Sequence, residues 1–273
     1  MNPSDPSPPR SEPTSEEIAR LVAKVRALTP ARVLAGRIGT SYRTETQLGL
    51  REDYAAAVDA VHADIDLERD LGAEFLSRWD LFEVRTRARS KSEFLLRPDL
   101  GRQLDEEDVK LFEGCPKGAD LQIVIGDGLS ATAVVAQVPA LLPMLVEEAQ
   151  YHGLSLGRPF FIRNCRVGVL NDIGRLLDPT VVILLVGERP GLATAESLSA
   201  YLAYKPRPGH TDANRNLISN IHARGTSPRD AAGRVLRLAL QMIRLGLSGV
   251  EIKEQLPEPA STNHLDDQGT PAR

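Results

Sequence analysis

Residues 121–135, LQIVIGDGLSATAVV, indicate the fold class more directly than any other stretch of the chain. The first five residues form an apolar run typical of a buried strand, a tight Gly–Asp–Gly turn follows, and Ser130 begins a helical pattern. Gly126, Gly128 and Ala131 also fit the relaxed dinucleotide-binding pattern G-x-G-x-x-G/A. The stretch therefore predicts a strand–turn–helix unit, and it raises the question of which ligand such a turn serves.

Strands and helices continue to alternate after this unit. PFFI (159–162) and RVGVL (166–170) are each predicted as strands, and a helix, NDIGRLL (171–177), follows the second of them. TVVILLVG (180–187) is an uninterrupted apolar run, which is typical of a strand buried on both faces. The helix that begins at Ser130 is expected to break or kink near Pro139 or Pro143. A last helix should begin at Ser227, with Pro228 in its first turn.

This alternation predicts an α/β fold, with a small, mostly parallel, Rossmann-like sheet flanked by helices. We divide the chain into a disordered tail (1–14), an N-terminal helical region (15–104), an α/β domain (105–255) and a second disordered tail (256–273), because both tails are rich in Pro and polar residues. Two capping boxes, Thr14 with Glu17 and Thr44 with Gln47, begin helices in the helical region. Pro30 should end the first of these helices, and residues 81–87 alternate like an edge strand or hairpin.

Composition restricts the class of protein. The chain has 273 residues, 42% of them hydrophobic, a net charge of −4 and only 4% aromatic residues. Nucleic-acid binding is disfavoured because it needs a basic face. No apolar run reaches the roughly 18 residues of a membrane span, and the N-terminus lacks the features of a signal peptide. Cys115 and Cys165 have no metal-binding spacing. We therefore expect a cytoplasmic protein with free thiols and no nucleic-acid or membrane partner.

The candidate binding residues follow the predicted strands, because ligands of open parallel sheets bind beyond the carboxyl ends of the strands. Asp127, Glu188 and Arg189 are expected to line one crevice, and the loop after PFFI adds further polar residues, namely Arg163, Asn164 and Arg166. The long polar segment 204–225 is expected to be a functional loop. Within it, His210 and His222 are better functional candidates than the histidines on helical patterns, His62 and His152.

A dinucleotide site is disfavoured by two observations. The pattern requires an acidic residue at the end of the second strand, about 20 residues after the glycines. Glu147 and Glu148 lie at that distance but within the helix, and the second strand ends in Arg163. Asp127 would also bring a negative charge to the pyrophosphate. Because nucleophile-elbow, zinc-protease and Walker motifs are absent from the sequence as well, a subunit or binding module is favoured over a complete enzyme.

Five stretches resemble the small subunit of ethanolamine ammonia-lyase, and they occur in the family's order over about residues 37–221. They are GRIGTSYRTETQLGLREDYAAAVDAV, IVIGDGLSA, RVGVLNDIG, GERPGL and SLSAYLAYKPRPGHTDANRNLISNI. The resemblance implies a carbon–nitrogen lyase that uses adenosylcobalamin to convert ethanolamine to acetaldehyde and ammonia by a radical route. It also implies a hetero-oligomer in which a TIM-barrel large subunit carries the substrate site and the small subunit helps to enclose the cofactor.

The resemblance further implies that the cofactor-binding residues are Arg166, Val167, Glu188 and Leu217, with no catalytic residue in this chain. The family commonly has Cys where this chain has Leu217, so that contact is preserved only if it is made by packing or by the backbone. NIHARG (220–225) departs from the D-x-H-x-x-G motif of base-off cobalamin proteins by having Asn in place of Asp. Base-on binding is therefore expected, with His222 as a loop residue.

Alternatives remain open. The chain could be a stand-alone α/β binding or structural protein without catalysis, which would form no complex with a barrel subunit. It could also be a small nucleotide-dependent oxidoreductase, which would bind NAD or FAD on its own. Under the family resemblance, the cytoplasmic location is either free or within a bacterial microcompartment. Residues 14–28 are then a better candidate for an encapsulation helix than the Pro-rich residues before them.

Overall fold

The computed structural model describes residues 14–28 and 33–254. The predictions made for Pro30 and for the two tails, apart from Thr14, lie outside these residues. The N-terminal part contains α1 (Ser15–Ala27), the two-residue strands β1 (Arg37–Ile38) and β2 (Ser41–Tyr42), α2 (Thr44–His62), α3 (Leu67–Leu71) and α4 (Ala73–Arg78). The remaining helices are α5 (Lys91–Leu96), α6 (Ala131–Tyr151), α7 (Leu170–Leu177) and α8 (Pro228–Leu245), with 3₁₀ turns at Leu100–Arg102, Asp108–Phe112, Val167–Val169 and Asp212–Asn214.

A six-stranded sheet forms the centre of the molecule. Its spatial order is β3 (Phe82–Arg85), β5 (Phe160–Arg163), β4 (Leu121–Gly126), β6 (Val181–Gly187), β7 (Leu198–Tyr204) and β8 (Asn216–Ile221). The first four strands are parallel to one another, β7 runs antiparallel to β6, and β8 runs antiparallel to β7. The predicted mostly parallel α/β fold is confirmed, and the sheet includes β3 as the edge strand expected within residues 81–87.

The central strand β6 is buried on both faces because its side chains alternate between two hydrophobic clusters. Val181, Ile183 and Leu185 face the cluster covered by α6 and α8. Val182, Leu184 and Val186 face the cluster that contains residues of α7 and Phe112. This arrangement explains why the strand is apolar throughout instead of alternating with polar residues.

Helix α6 begins as predicted but is not broken at its prolines. Ser130 caps it, since its Oγ accepts a hydrogen bond from the Ala133 N–H at 3.2 Å. The helix then continues through Pro139 and Pro143 to Tyr151. Each proline removes a helical hydrogen bond, and the burial of one helix face, including Val138, Leu141, Leu142 and Leu145, offsets that loss. By length and composition alone α6 could cross a membrane, but it packs here as a core helix.

The helix-start predictions had mixed outcomes. The Thr14–Glu17 capping box is confirmed, and Ser227 caps α8 with Pro228 in the first turn. The second capping box is wrong, because α2 begins at Thr44 itself, with Arg43 at the cap position and no side-chain cap.

Two predictions for strands and loops also need correction. Val167–Val169 forms a 3₁₀ turn and not a strand, because the Val169 N–H bonds back to the Arg166 carbonyl and the turn leads directly into α7. Segment 204–225 is not a single loop, because it contains β8, which completes the sheet next to β7. Neither β7 nor β8 was predicted from the sequence.

Candidate functional site

The carboxyl ends of β4, β5 and β6 meet at one edge of the sheet, as the parallel pairing requires. A cavity of about 410 Å³ opens there, and a larger one of about 810 Å³ adjoins it. Arg166, Val167, Tyr201 and Leu217 line both cavities, so the two form one continuous groove. We call the smaller cavity the strand-end cavity and the larger one the arginine cavity.

All four residues that the family resemblance implies for cofactor binding lie together in this groove. Arg166, Val167, Glu188 and Leu217 line the strand-end cavity, although they come from the loop after β5, the residue after β6 and the start of β8. Arg189 lines the same cavity. The structure therefore gathers these residues at one place, and their role toward a cofactor remains a prediction.

Glu188 is held by three donors from its own chain. The Ser197 hydroxyl donates to Oε2 and the Ser199 hydroxyl donates to Oε1, each at 2.6 Å. The Asn220 N–H also donates to Oε1, at 2.9 Å. The carboxylate therefore joins the ends of β6, β7 and β8, and its position in the groove is fixed by bonds to neighbouring strands.

The side chain of Arg166 is packed against Phe94 and Gly101, but one of its hydrogen-bond donors, Nε, has no partner among the described residues. Its guanidinium carbon lies 4.3 Å from the centre of the Phe94 ring. A Cβ atom on Gly101 would come within 2.7 Å of Arg166 Cγ, so only glycine permits this contact. Nε is buried without a hydrogen-bond partner among the described residues. Burial lowers the pKa of Arg166, with smaller contributions from Arg189 and Arg102.

Val167 and Leu217 give the groove its apolar surface. Val167 is half-buried in the turn after β5, whereas Leu217 is 45% exposed on β8. In the sheet register Leu217 pairs with Tyr201 of β7, and burial raises the pKa of the Tyr201 hydroxyl. The groove thus combines aliphatic side chains with a phenol, several guanidinium groups and the Glu188 carboxylate.

Asp127 does not line the groove, contrary to the prediction that it faces the crevice. It is 3% exposed, and its Oδ2 and Oδ1 accept the N–H groups of Asn164 and Cys165, both at 2.9 Å. Burial raises the pKa of Asp127, while nearby Lys91 and the two N–H donors act in the opposite direction. Asp127 thereby fixes the loop after β5, which carries Arg166 and Val167 into the groove.

Arg163 and Asn164 point elsewhere. Arg163 forms a two-pronged ion pair with Glu83 and donates to the Ile65 carbonyl. Asn164 is buried and its side chain donates to the Ala88 carbonyl at 3.0 Å. Both residues border a separate cavity of about 670 Å³ beside β3. They support the loop after β5 and do not contribute side chains to the groove.

The two favoured histidines have different surroundings. His210 lines the arginine cavity, whereas His222 is 3% exposed. The Arg224 N–H donates to His222 Nδ1 at 3.3 Å, so Nε2 carries the proton and donates to Asn220 Oδ1 at 2.8 Å. Both ring nitrogens of His222 are therefore engaged within the chain.

Several groove residues were missed from the sequence, namely Arg102, Ser199, Tyr201 and Arg215. Two of them, Ser199 and Tyr201, lie on β7, whose alternation was overlooked. Leu198, Ala200 and Leu202 are in the core cluster under α6 and α8, which turns Ser199 and Tyr201 toward the opposite face. The alternation of Leu198, Ala200 and Leu202 with Ser199 and Tyr201 is the signal that could have identified this strand. Within residues 14–28 and 33–254, no three His, Cys, Asp or Glu side chains are grouped as a metal site, and both cysteines are buried and free.

Comparisons with known proteins agree with this picture. The family model described as ethanolamine ammonia-lyase light chain (EutC) matches residues 19–253. The chain is 41% identical over 231 residues to the ethanolamine ammonia-lyase small subunit of Clostridium perfringens, covering 84% of this chain and 76% of the relative. For the small subunit of Clostridium tetani the identity is 40% over 237 residues, covering 87% and 79%. For that of Listeria monocytogenes it is 40% over 231 residues, covering 84% and 77%. The chain belongs to the ethanolamine ammonia-lyase light-chain family.

Proposed function

We propose that this chain is the small subunit of an adenosylcobalamin-dependent ethanolamine ammonia-lyase, and that its groove forms one wall of the cofactor site. A TIM-barrel large subunit supplies the other wall and the substrate site within a hetero-oligomer. The observation that carries the proposal is the convergence of Arg166, Val167, Glu188 and Leu217, which come from three separate parts of the chain, on one cavity.

The residues of the groove fit a corrinoid. A corrin ring is broad and apolar and carries amide side chains at its rim, so it requires an apolar surface bordered by hydrogen-bonding groups. Val167 and Leu217 provide the surface, and Leu217 can replace the family's Cys through packing. The unpartnered Nε of Arg166 is a donor that an amide oxygen could satisfy, and leaving such a buried donor unpaired is costly.

In this proposal the chain binds and orients the cofactor, and the cofactor supplies the reactivity. When bound, adenosylcobalamin supplies the radical chemistry that converts ethanolamine to acetaldehyde and ammonia. The residues of this chain hold the ring in place and exclude water from one side of it. Glu188 keeps a fixed position because Ser197, Ser199 and Asn220 all donate to it.

Base-on binding is part of the proposal. A protein histidine that replaced the nucleotide base would need a free ring nitrogen, and both nitrogens of His222 are bonded within the chain. His210 lies in the arginine cavity, where Arg207 Nε donates to its Nε2 at 3.1 Å, so in the neutral ring Nδ1 carries the proton and has no lone pair for cobalt. A complex in which His222 ligates cobalt would contradict base-on binding.

Reconstitution with a large subunit, adenosylcobalamin and ethanolamine tests the proposal. We expect lyase activity only when both subunits are present, and an apparent cofactor affinity about tenfold or more weaker in Glu188→Ala, because that change leaves three donors without their acceptor. Glu147→Ala, at an exposed position on α6, is the control and should leave the affinity unchanged.

The outcomes separate the alternatives. If Glu188→Ala binds the cofactor as well as the wild type, Glu188 is not part of the site. If no large subunit forms a complex with this chain, the stand-alone binding or structural protein is favoured instead. Saturable binding of NAD or FAD by the chain alone would favour the oxidoreductase.

The proposed location is the cytoplasm, either free or within a microcompartment. Helix α1 is the segment suited to encapsulation, because it is amphipathic and none of its residues is buried. Ile18 and Leu21 are 48% and 61% exposed. Removal of residues 1–28 should abolish co-sedimentation with shells if α1 directs encapsulation, and should have no effect if the enzyme is free.

A further inference from the structure

The arginine cavity contains donors that no residue within 14–28 and 33–254 satisfies. Arg166 Nε, Arg215 Nε and His210 Nδ1 are all buried without hydrogen-bond partners among the described residues, and all three residues line this cavity. Buried polar groups are nearly always paired in folded proteins. Three residues with unused donors around one cavity therefore make it a candidate site for a ligand rich in acceptors.

The most strongly buried of the three is on Arg215. Its side chain is only 5% exposed, and its two terminal nitrogens donate to Asp212 Oδ1 and Asn171 Oδ1. Nε has no acceptor in the part of the chain that the structure describes. Burial lowers the pKa of Arg215, yet an arginine stays charged at neutral pH. The chain thus keeps a positive charge almost wholly out of water with part of its donor capacity unused.

The unpaired atom of His210 is also a donor. Arg207 Nε donates to His210 Nε2 at 3.1 Å, so in the neutral ring the proton resides on Nδ1. Burial and the neighbouring Arg207 and Arg215 lower the pKa of His210, which favours the neutral ring. The unpaired groups of the arginine cavity are therefore three N–H donors, and they would be satisfied by a ligand that offers several acceptors.

Two arginine side chains of this cavity, Arg102 and Arg166, occupy space that glycines leave open. A Cβ atom on Gly168 would lie 2.7 Å from Arg102 Cγ, and one on Gly101 would lie equally close to Arg166 Cγ. The acidic residues of the cavity, Asp172 and Asp212, offset only part of this charge: Asp212 is paired with Arg215, but three guanidinium groups face two carboxylates, so the cavity stays positive.

We propose that the arginine cavity binds a phosphate group, held by Arg102, Arg166 and Arg215 with the Nδ1–H of His210. Arginine is the side chain best suited to phosphate, because its donors match the geometry of phosphate oxygens. The inference rests on the proposed function, because the arginine cavity adjoins the strand-end cavity proposed for the cofactor. The two cavities share four lining residues, namely Arg166, Val167, Tyr201 and Leu217. The phosphodiester of the cofactor's nucleotide tail is then the natural source of the group, with free inorganic phosphate as the other source.

Two corrinoids that differ by one phosphate group test the inference directly. Adenosylcobinamide and adenosylcobinamide phosphate are titrated into the complex of this chain with the large subunit, and binding is followed by absorbance, without any activity assay. We expect the phosphate-bearing compound to bind at least tenfold more tightly to the wild-type complex. We expect this preference to fall below threefold in Arg215→Met.

Two further variants distinguish the loss of a phosphate contact from a general folding defect. Arg102 is exposed, so Arg102→Gln should fold normally and still reduce the preference several-fold. Arg237, exposed on α8 beside a different cavity, provides the matched control, and Arg237→Gln should retain the full preference. Equal binding of both corrinoids to the wild type, or an unchanged preference in both Arg102→Gln and Arg215→Met, would overturn the inference.

Failure of the proposed function would look different. If neither these corrinoids nor adenosylcobalamin binds the complex, the cofactor role is wrong, and inorganic phosphate is titrated into the full chain by calorimetry. Binding that is lost in Arg215→Met but kept in Arg237→Gln would support a site for free phosphate. Absence of binding to the wild-type chain would overturn the phosphate site as well.

Discussion

Asp127 illustrates how one buried carboxylate organises the site without entering it. Each of its oxygens accepts one backbone N–H of the loop after β5, and the next residues of that loop, Arg166 and Val167, line the groove. Its place after β4 was predictable from the sequence. Its inward direction was not, because it depends on a loop 37 and 38 positions further along the chain.

We expect Asp127→Asn to destabilise the chain by about 1–3 kcal/mol, because the amide NH₂ would face a backbone N–H and leave it unsatisfied. Urea denaturation at neutral pH measures the change in the free energy of unfolding. Asp59→Asn, an exposed change on α2, is the control and should have no effect. Equal stability of wild type and Asp127→Asn would show that the two backbone bonds contribute nothing.

The turn between β4 and α6 requires glycine for two separate reasons at Gly128. Its φ is +58°, a conformation that L side chains rarely adopt. A Cβ atom there would also come within 2.4 Å of the Gly187 carbonyl oxygen at the end of β6. The glycines of this turn, which suggested a dinucleotide loop in the sequence, therefore serve close packing between two strand ends.

A pair of alanine substitutions separates these two effects. Gly118 has φ +74° and open space around it, so Gly118→Ala should cost only the conformational strain of about 1–2 kcal/mol. Gly128→Ala should cost more, because the carbonyl contact is added to the same strain. Thermal or urea denaturation compares the two variants, and equal destabilisation would contradict a packing role for Gly128.

The edge strand β3 is anchored by an ion pair at its end. Arg85 donates to Asp108 from Nη2 at 2.9 Å and from Nε at 3.0 Å, and its backbone N–H donates at 2.7 Å. The hydrogen bond from Arg85 holds the pKa of Asp108 below its ordinary value of 3.8. A carboxyl with a depressed pKa in the folded state stabilises the protein above its unfolded pKa and loses that contribution as the pH falls.

We therefore expect the stability difference between wild type and Asp108→Asn to depend on pH. The wild type should be more stable by about 1–3 kcal/mol between pH 5 and 7. The difference should shrink as the pH falls below about 4, since the carboxyl of the unfolded wild-type chain then becomes protonated while the folded one is still ionised. Urea denaturation at pH 7, 5 and 3.5 measures it, with Asp59→Asn as the control. A difference that stays constant down to pH 3.5 would contradict the role of the charge.

At the scale of elements, local pattern predicted some strands well and others poorly. The uninterrupted apolar run of β6 was recognised, because burial on both faces leaves a signal in consecutive residues. The turn at Val167–Val169 was misread as a strand, since its apolar composition does not reveal that the Val169 N–H bonds back to the Arg166 carbonyl. Strand β8 was hidden in a Gly-, Pro- and Asn-rich segment, and only its pairing with β7 makes it a strand.

The core of the described chain is built on the six-stranded sheet, with a hydrophobic cluster on each of its faces. Because alternate residues of β6 belong to the two clusters, neither cluster can lose its packing without exposing the same strand. The single tryptophan, Trp79, packs at the margin of the cluster beneath α6 and α8. The two clusters are therefore expected to unfold together.

Leu142→Ala and Ile173→Ala test this coupling, since the two residues are fully buried in different clusters. Each should destabilise the chain by about 2–5 kcal/mol. In urea denaturation the tryptophan fluorescence and the far-ultraviolet circular dichroism should give coincident transitions for both variants. If Ile173→Ala shifted only the circular dichroism and left the Trp79 transition in place, the two faces would be independent units.

The α/β class, the mostly parallel sheet, the central strand β6 and the family resemblance could all be predicted, because they depend on residues that are neighbours along the chain. The same local patterns put Arg166, Val167 and Glu188 after strands whose ends should meet. The folded chain was needed to show that Leu217 and Tyr201 line the same groove, that Asp127 turns inward, and that Arg102, Arg166 and Arg215 border one cavity. Those positions depend on strand order and register, since contacts between distant residues form only when the sheet assembles.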